Sequence, residues 1–246
     1  VNALAGKVAG IISVQRSGEP GKDDDQFWIR GISTCGAGSQ PLVLVDGVER
    51  PLSNVEPEDI ESFSVLKDAS ATSVYGIRGA NGVILVTTRR GSVAKPSINF
   101  KYERGVQSAT SKPRYLDSPT YLELLNEANL ATNPNYVTPY TPEVIDKYRS
   151  GEDPVLYPNV DWMKLMMKDF ANSQRATLNV SGGTEKARYY IGGSYYDESG
   201  AWATDALTKY DSQTKLKRFK FRPNTDIDLR KDLELSLGLG GFLTLS

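Results

Sequence analysis

The side chains that could carry out chemistry in this chain are carboxylates, lysines, hydroxyls and one thiol. The 246-residue sequence contains no histidine, and Cys35 is its single cysteine. Ser-His-Asp and Cys-His nucleophiles, histidine-ligated metals and internal disulfides are therefore excluded. Carboxylate or lysine catalysis stays open, but no carboxylate pair has a spacing that singles it out as a glycosidase site. We take Cys35 as incidental.

Charged side chains offer one candidate metal site. Asp23, Asp24 and Asp25 are consecutive and could hold Ca²⁺, and the alternative is a solvated acidic run. We expect no other cofactor. The 29 Lys and Arg residues nearly balance the 30 Asp and Glu residues, and they form no basic stripe. Because phosphate neutralisation needs clustered cations, we predict no nucleic-acid partner.

Several glycines lie where the chain should turn. The dipeptides Asp46-Gly47 and Asn81-Gly82 tolerate positive φ and reverse a strand tightly. The glycines after residue 75 do not have the GxGxxG spacing, and no Lys-Ser/Thr pair follows them. We therefore predict structural turns, not a phosphate loop, at Asp46, Gly47, Gly76, Gly79, Asn81 and Gly82.

The first part of the chain, up to about residue 93, predicts a compact mixed α+β domain. A helix is expected in "DASATSVYG", with Asp68 as its N-cap and Gly76 as its stop. The strands are predicted at Ile11 to Val14, Phe27 to Arg30, Pro41 to Val45, Ser62 to Leu66 and Gly82 to Thr88.

A strict alternation of apolar and polar side chains begins near Pro96 and predicts five further strands. Along "RFKFRPNTDIDL", Phe, Ile and Leu occupy one face and charged residues the other. A soluble sandwich with one wet face and a transmembrane barrel with a lipid-facing exterior both fit this pattern. Pro223 lacks a ladder donor, so we predict a bulge there. The five strands lie at residues 97–103, 175–183, 186–196, 218–229 and 233–241.

The connections between these strands alternate in length. The turns "GGTEK" and "RKD" are tight, whereas the other two connections span about 70 and about 20 residues, an asymmetry typical of outer-membrane barrels. Three short helices are predicted in the first long connection. Two of them begin at Ser118-Pro119 and Thr141-Pro142, each an N-cap followed by an N1 proline, and the third lies in "DWMKLMMKDF".

An ordered series of motifs resembles the plug of TonB-dependent outer-membrane transporters, most closely the SusC/RagA family of Bacteroidetes nutrient importers. The motifs are "LAGKVAGI", "WIRGIS", "VLVDGV", "PEDIESFSVLKDASATSVYG" and "GANGVILVTTRRG". Further on, "VSGGTEKARYYIGGSYYDESG" is similar to the second and third barrel strands of that family. The resemblance covers nearly the whole chain.

The resemblance implies an α+β plug domain over residues 1–93, followed by the first antiparallel strands of a transmembrane β-barrel over residues 94–246. About five strands of a 22-stranded barrel would be present. A long helix-containing extracellular loop is expected at about residues 106–173. Because five strands cannot close a barrel, we expect the chain to be a fragment.

The function implied by the resemblance is TonB-dependent import across the outer membrane of a Gram-negative, Bacteroidetes-like bacterium. A SusD-like surface lipoprotein would deliver a glycan or a peptide. The TonB-ExbB-ExbD complex would act through a TonB box upstream of residue 1, and outer-membrane lipid would surround the barrel. No bond in the solute changes, so we predict that the protein is not an enzyme. A signalling receptor of the same architecture and a soluble carbohydrate-binding or carboxylate-hydrolase module remain alternatives.

Two sets of site residues are carried over from the resemblance. Loops that point outward in related transporters imply solute contacts at Thr34, Ser39, Gln40, Glu49, Arg50, Ser53 and Asn54. Ordinary loop composition explains these polar residues equally well. If the plug lies inside a barrel, four cations would face the charged barrel wall and make polar contacts with it: Lys67, Arg78, Arg89 and Arg90. The alternative is that these side chains lie on a solvated surface.

Overall fold

The computed structural model describes residues 11–14, 17–22, 26–29, 40–66, 73–204 and 213–246. The chain divides into two compact units. The first comprises Val1–Val106, Asn172–Gly200 and Thr214–Ser246, and the second comprises Gln107–Ala171 and Ala201–Gln213. None of the described helices combines the length and the apolar composition needed to cross a membrane.

The N-terminal portion of the first unit, here called the α+β part (described residues 11–93), contains two small sheets. Strands β1 (Ile11–Val14) and β2 (Gln26–Ile29) form an antiparallel pair. The second sheet has the order β4-β3-β6-β5, in which β3 and β6 are parallel. Its strands are β3 (Leu42–Val45), β4 (Val48–Glu49), β5 (Ile60–Leu66) and β6 (Val83–Thr88).

The core of the α+β part forms around β6. This strand lies between β3 and β5, and its apolar run "VILV" is typical of a strand covered on both faces. Ile84 and Val86 pack with Val45, Leu52 and Val55. Short 3₁₀ helices at Leu52–Asn54, Pro57–Asp59 and Gly76–Gly79 connect the strands. The predicted helix lies partly outside the described residues, and only its end at residues 73–75 is seen as helical.

The remainder of the first unit is a long antiparallel sheet, here called the long sheet. Its strand order is β11-β10-β9-β8-β7, and β12 also pairs with β10. The strands are β7 (Ala94–Gln107), β8 (Ala171–Gly183), β9 (Ala187–Ser199), β10 (Lys215–Arg230), β11 (Leu233–Gly238) and β12 (Gly241–Leu245). An α+β part followed by long antiparallel strands confirms the predicted fold class.

The long sheet buries its polar face and exposes its apolar face. On β10, Arg222, Asn224 and Asp226 are 7%, 2% and 5% exposed, whereas Phe219 and Phe221 are 43% and 56% exposed. A soluble sandwich would bury the opposite face. The sandwich alternative is therefore wrong for the described strands, and the predicted division of faces along β10 is confirmed.

The bulge predicted at Pro223 is wrong. Strand β10 passes through Pro223 without a register shift against β9, where Pro223 faces Ile191. The outer strand is interrupted instead, so the predicted fifth strand is divided into β11 and β12 on either side of Leu239 and Gly240. A register shift on β10 does occur, but against β11 between Asp228 and Arg230.

Among its described residues, the second unit contains three helices, α1 (Ser118–Thr132), α2 (Pro142–Ser150) and α3 (Trp162–Met166). The N-cap of α1 is Asp117, which accepts a hydrogen bond from the Thr120 amide, so the predicted cap at Ser118 is one residue too late. Thr141 occupies the N-cap position of α2 as predicted, but its side chain accepts no hydrogen bond from the helix. The division into domains at residues 93 and 94, and the extracellular position of the loop at about 106–173, stay predictions.

Candidate functional site

The candidate site is the contact between the α+β part and the polar face of the long sheet, here called the inner face. Asp59, which ends a 3₁₀ helix, is 5% exposed. Tyr190 on β9 donates a hydrogen bond of 2.8 Å to Asp59 Oδ1. Arg222 Nε lies 3.8 Å from Asp59 Oδ2. Burial raises the pKa of Asp59, and the Tyr190 hydrogen bond and the Arg222 charge oppose that rise.

Gly192 on β9 allows Asp59 to approach the inner face of the long sheet. A Cβ at Gly192 would overlap the Asp59 carboxylate, with the Cγ atom of Asp59 only 3.1 Å away. At the next position, a Cβ on Gly193 would meet only the Leu178 carbonyl oxygen, at 3.9 Å. The glycine is thus required for close contact at residue 192 and not at residue 193.

Glu56 is a second buried carboxylate that meets the inner face. It is 5% exposed, and two cations lie close to it: Arg175 Nη1 at 3.4 Å from Oε1 and Lys220 Nζ at 3.5 Å from Oε2. Ser194 donates a hydrogen bond of 3.2 Å to Oε2. Lys220 Nζ also donates to the Ser53 carbonyl at 2.7 Å. Paired cations offset the cost of burying this carboxylate.

A third contact joins a strained turn to the long sheet. Asp46 has a positive φ of 51°, followed by Gly47 at 81°, and this turn joins β3 to β4 as predicted. The Asp46 carboxylate accepts hydrogen bonds from the Thr88 amide at 2.9 Å and from the Thr88 hydroxyl at 2.7 Å. Asn224 donates to Thr88 Oγ1 at 2.9 Å and to the Arg89 carbonyl at 2.7 Å. The turn, the end of β6 and β10 are therefore linked in one network.

Further ion pairs extend the contact along the sheet. Arg90 Nη1 lies 2.5 Å from Asp226 Oδ1, and Lys101 Nζ on β7 lies 2.8 Å from Glu58 Oε1. From Lys220 to Asp226 the contacts follow β10 over roughly 20 Å at about 3.3 Å per residue. The contact between the α+β part and the long sheet is thus polar and continuous.

The predicted plug-to-barrel cations have different positions in the structure. Arg90 contacts the inner face through its side chain, and Arg89 does so through its carbonyl. The Arg89 side chain donates to the Ile60 carbonyl inside the α+β part. Arg78 pairs with Glu49, also inside the α+β part. Lys67 lies outside the described residues.

The predicted solute-contact residues are only partly brought together. Arg50 and Asn54 line a cavity of about 220 Å³ against the inner face. Ser53 is beside them and contacts Lys220 through its carbonyl. Gln40 and Glu49 are exposed. Thr34 and Ser39 lie outside the described residues, so the assignment of this set as solute contacts stays a prediction.

Of the remaining predicted turn residues, Gly76 and Gly79 begin and end a 3₁₀ helix, and Asn81 and Gly82 lie between that helix and β6. The Gly82 amide donates to the Gly79 carbonyl at 2.9 Å, which closes the predicted turn at Asn81-Gly82. Gly82 has a φ of 87°, and a Cβ there would lie 2.6 Å from Ile29 Cδ1. Gly76 also has a positive φ, of 61°.

Metal binding stays untested for the acidic run. Asp23, Asp24 and Asp25 lie outside the described residues. Within the part of the chain that the structure describes, there is no group of three or more His, Cys, Asp or Glu side chains that could hold a metal ion.

The sequence analysis missed the carboxylates and their partners on the wall. Asp59 lies in the quoted motif that begins with "PEDIES", and Glu56 directly precedes that motif, but neither was selected as a contact residue. Their partners Tyr190, Arg175 and Lys220 are more than 100 residues away in the chain. The available signal was the row of polar residues on one face of each strand, which had to meet polar groups if that face was covered.

Comparisons with known proteins agree with this architecture. Residues 1–83 match the model of the TonB-dependent Receptor Plug Domain family. The chain is 31% identical over 239 residues to TonB-dependent receptor P26 of Formosa agariphila, covering 94% of this chain and 22% of that protein. It is 28% identical over 233 residues to TonB-dependent receptor SusC of Bacteroides thetaiotaomicron, covering 87% of this chain and 20% of that protein.

A solved structure extends the similarity to the strands of the long sheet. The RagAB peptide importer in its closed-closed state matches 99% of this chain and 28% of its own chain, with a TM-score of 0.77 and 29% identity. The fold is thus a TonB-dependent receptor plug followed by the first strands of a barrel. The chain belongs to the SusC/RagA type of TonB-dependent receptors, and it spans about a fifth of the length of the curated relatives it matches.

Proposed function

We propose that this chain forms the gate and the beginning of the wall of an outer-membrane importer that is driven by TonB. The observation that carries this proposal is the inverted sheet: Asn224 and Asp226 are buried against the α+β part, while Phe219 and Phe221 are exposed. An apolar exterior suits contact with acyl chains, and a polar interior suits a water-filled lumen.

The polar contact supports a gate that can open. A net contribution of about 0.5–1.5 kcal/mol is typical of one intramolecular hydrogen bond, because water replaces it when it breaks. An apolar contact of similar area would be harder to open, because opening it would expose apolar surface to water. Force from TonB would therefore need to release only a few contacts at a time, such as Arg90 with Asp226.

The solute and the partners are proposed from the relatives. One solved neighbour is a peptide importer, and one curated relative is SusC. We propose that a SusD-like lipoprotein delivers a glycan or a peptide to this receptor, and that the TonB-ExbB-ExbD complex energises its uptake. The solute passes through unchanged, so the protein acts as a transporter and not as an enzyme.

A reversible tether between gate and wall tests the proposal in the full-length receptor. In Asp59→Cys/Gly192→Cys the new sulfur at residue 59 would lie near the Asp59 Cγ position, 3.1 Å from a Cβ at residue 192. A disulfide needs about this separation, given its S–S length. A Cys35→Ser background removes the single thiol of this chain.

Uptake of the solute by cells should be lost when the double variant is oxidised and should return after reduction. Each single-cysteine variant carries one of the two substitutions but cannot form the tether, so its uptake should not depend on the oxidant. Equal uptake by the oxidised and the reduced double variant, with the disulfide verified by mass spectrometry, would contradict a moving gate.

A further inference from the structure

The cavity beside Arg50 carries an excess of positive charge. It lies on the inner face where the outer strand is interrupted between β11 and β12. Its lining includes three cations, one carboxylate, one amide and one glycine: Arg50, Lys220, Arg222, Asp59, Asn54 and Gly240. Among the side chains that line the cavity, cations outnumber carboxylates, although Glu56 and Asp46 lie close to Lys220 and Arg222 behind the lining.

Lys220 and Arg222 differ in how many of their N–H groups are already hydrogen-bonded to the protein. Lys220 Nζ is occupied, since it donates to the Ser53 and Val55 carbonyls at 2.7 and 3.3 Å. Arg222 lies 3.6 Å from Asp46 Oδ2 and 3.8 Å from Asp59 Oδ2. Those separations exceed hydrogen-bond length, so the guanidinium retains N–H groups for another acceptor.

Arg50 is the third cation, and it forms no salt bridge with any carboxylate in the described ranges. Its Nη1 atom lies 3.0 Å from the point that a Cβ on Gly240 would occupy, and Nη2 of Arg222 lies 3.3 Å from the same point. Two positive charges therefore lie beside one small space. They repel each other unless an anion lies between them. The missing side chain of Gly240 keeps that space open.

We propose that Arg50 and Arg222 bind a carboxylate group of the imported solute in this cavity. The inference rests on the import function proposed above and narrows its solute to one that carries a carboxylate. A planar carboxylate can accept N–H groups from both guanidiniums. The volume of about 220 Å³ fits one terminal group, since sites for whole drug-sized ligands start at about 300 Å³. The carboxylate can belong to the C-terminus of a peptide or to a uronic acid of an oligosaccharide.

Calorimetric titration of the full-length receptor with matched probes tests this site. The probes are a tripeptide with a free C-terminus, the same tripeptide as its C-terminal amide, a uronic-acid trisaccharide and its carboxyl-reduced neutral form. Arg50→Gln should weaken binding of the carboxylate probe by at least about tenfold, as loss of a charge-assisted contact predicts. Arg78→Gln is the matched control, because it removes an exposed arginine of the α+β part that does not line the cavity.

A second pair of variants tests the space without changing the charge. Gly240→Ala places a methyl group 3.0 Å from Arg50 Nη1 and should weaken binding of the carboxylate probe. Gly193→Ala lies outside the cavity lining, meets only the Leu178 carbonyl oxygen at 3.9 Å, and should bind the probe like the unmodified protein. Binding of one probe alone identifies the peptide or the oligosaccharide as the source.

The proposal is overturned if neither carboxylate probe binds, if amide and neutral probes bind equally well, or if Arg50→Gln and Gly240→Ala bind the carboxylate like the unmodified receptor. Any of these results leaves the tethering test of import unaffected. A tether that fails to stop uptake, with carboxylate binding intact, would count against the import function and not against the site.

Discussion

Tyr190 and Asp59, 131 positions apart in the sequence, are joined by a 2.8 Å hydrogen bond between two buried side chains. One residue belongs to the wall and the other to the plug. A buried acceptor that loses its donor pays a desolvation penalty, so this bond should hold the two parts together more than an exposed pair would.

Tyr190→Phe should therefore loosen the plug. We expect the free energy of unfolding to fall by about 1–2 kcal/mol, since Asp59 loses a donor while the ring is kept. Thermal unfolding of the full-length receptor in detergent measures the change. Tyr189→Phe alters the neighbouring tyrosine, which faces the other side of the sheet, and should leave the melting temperature unchanged. A similar loss in both variants would contradict the role of the Asp59 contact.

Asp59 should make stability depend on pH. Its pKa is raised in the folded protein from 3.8, mainly by burial, so the protonated form favours the folded state. This contribution is fully present below pH 3.8 and is lost as the pH rises through the raised pKa. The melting temperature of the unmodified receptor relative to Asp59→Asn should therefore rise as the pH is lowered from neutral.

Asp169 provides a control of opposite sign. The Lys112 hydrogen bond lowers the pKa of Asp169, so its contribution is present above pH 3.8 and lost as the pH falls through the lowered pKa. Relative to Asp169→Asn, the unmodified receptor should not gain stability on acidification. If the difference in melting temperature between the unmodified receptor and Asp59→Asn stays constant with pH, Asp59 is not the source of the pH dependence.

Gly192→Ala should separate the plug from β9. Its methyl group would overlap the Asp59 carboxylate, so either Asp59 or the strand must move. We expect faster hydrogen exchange in the Pro57–Asp59 helix and in β9. Gly193→Ala is a matched control with an ordinary 3.9 Å contact and should exchange at the original rate. Unchanged exchange in Gly192→Ala would show that the close approach is not needed.

Asn224→Ala should destabilise the junction of β6 and β10. Asn224 is 2% exposed and donates to both Thr88 Oγ1 and the Arg89 carbonyl, so its truncation leaves the buried Thr88 hydroxyl and the Arg89 carbonyl without this donor. A loss of about 2 kcal/mol in unfolding free energy follows from the usual cost of such groups. Thr225→Ala, on the opposite face of β10, is the comparison, and denaturant unfolding should find it near neutral.

Local patterns of the sequence were sufficient to predict the strands and their faces. The period of two along "RFKFRPNTDIDL" correctly divided Phe219 and Phe221 from Arg222, because alternation in a strand is a local property. The contact of Glu56 with Arg175 is not local: it depends on which plug segment reaches which wall strand. Motif resemblance indicated that a plug meets a wall, but it did not pair individual residues.

The error at Pro223 has a geometric cause. In an antiparallel strand, the N and C=O of one residue point to the same neighbour. The Pro223 carbonyl accepts from the Leu239 amide at 3.0 Å, so the missing N–H also faces the outer strand and not β9. The sequence showed that a donor was missing, but it could not show on which side. Ladder hydrogen bonds to β9 therefore continue, and the interruption falls between β11 and β12.

The polar groups that hold the plug have a second consequence once it moves. As the contacts are released, water would reach the polar groups on both sides: Glu56, Asp59 and Thr88 of the plug, and Lys220, Arg222 and Asn224 of β10. Water is drawn spontaneously into a conduit lined by such groups, whereas a narrow oily constriction stays dry and blocks flow. The passage would thus hydrate as it opens, and no separate dewetting barrier would delay a hydrophilic cargo.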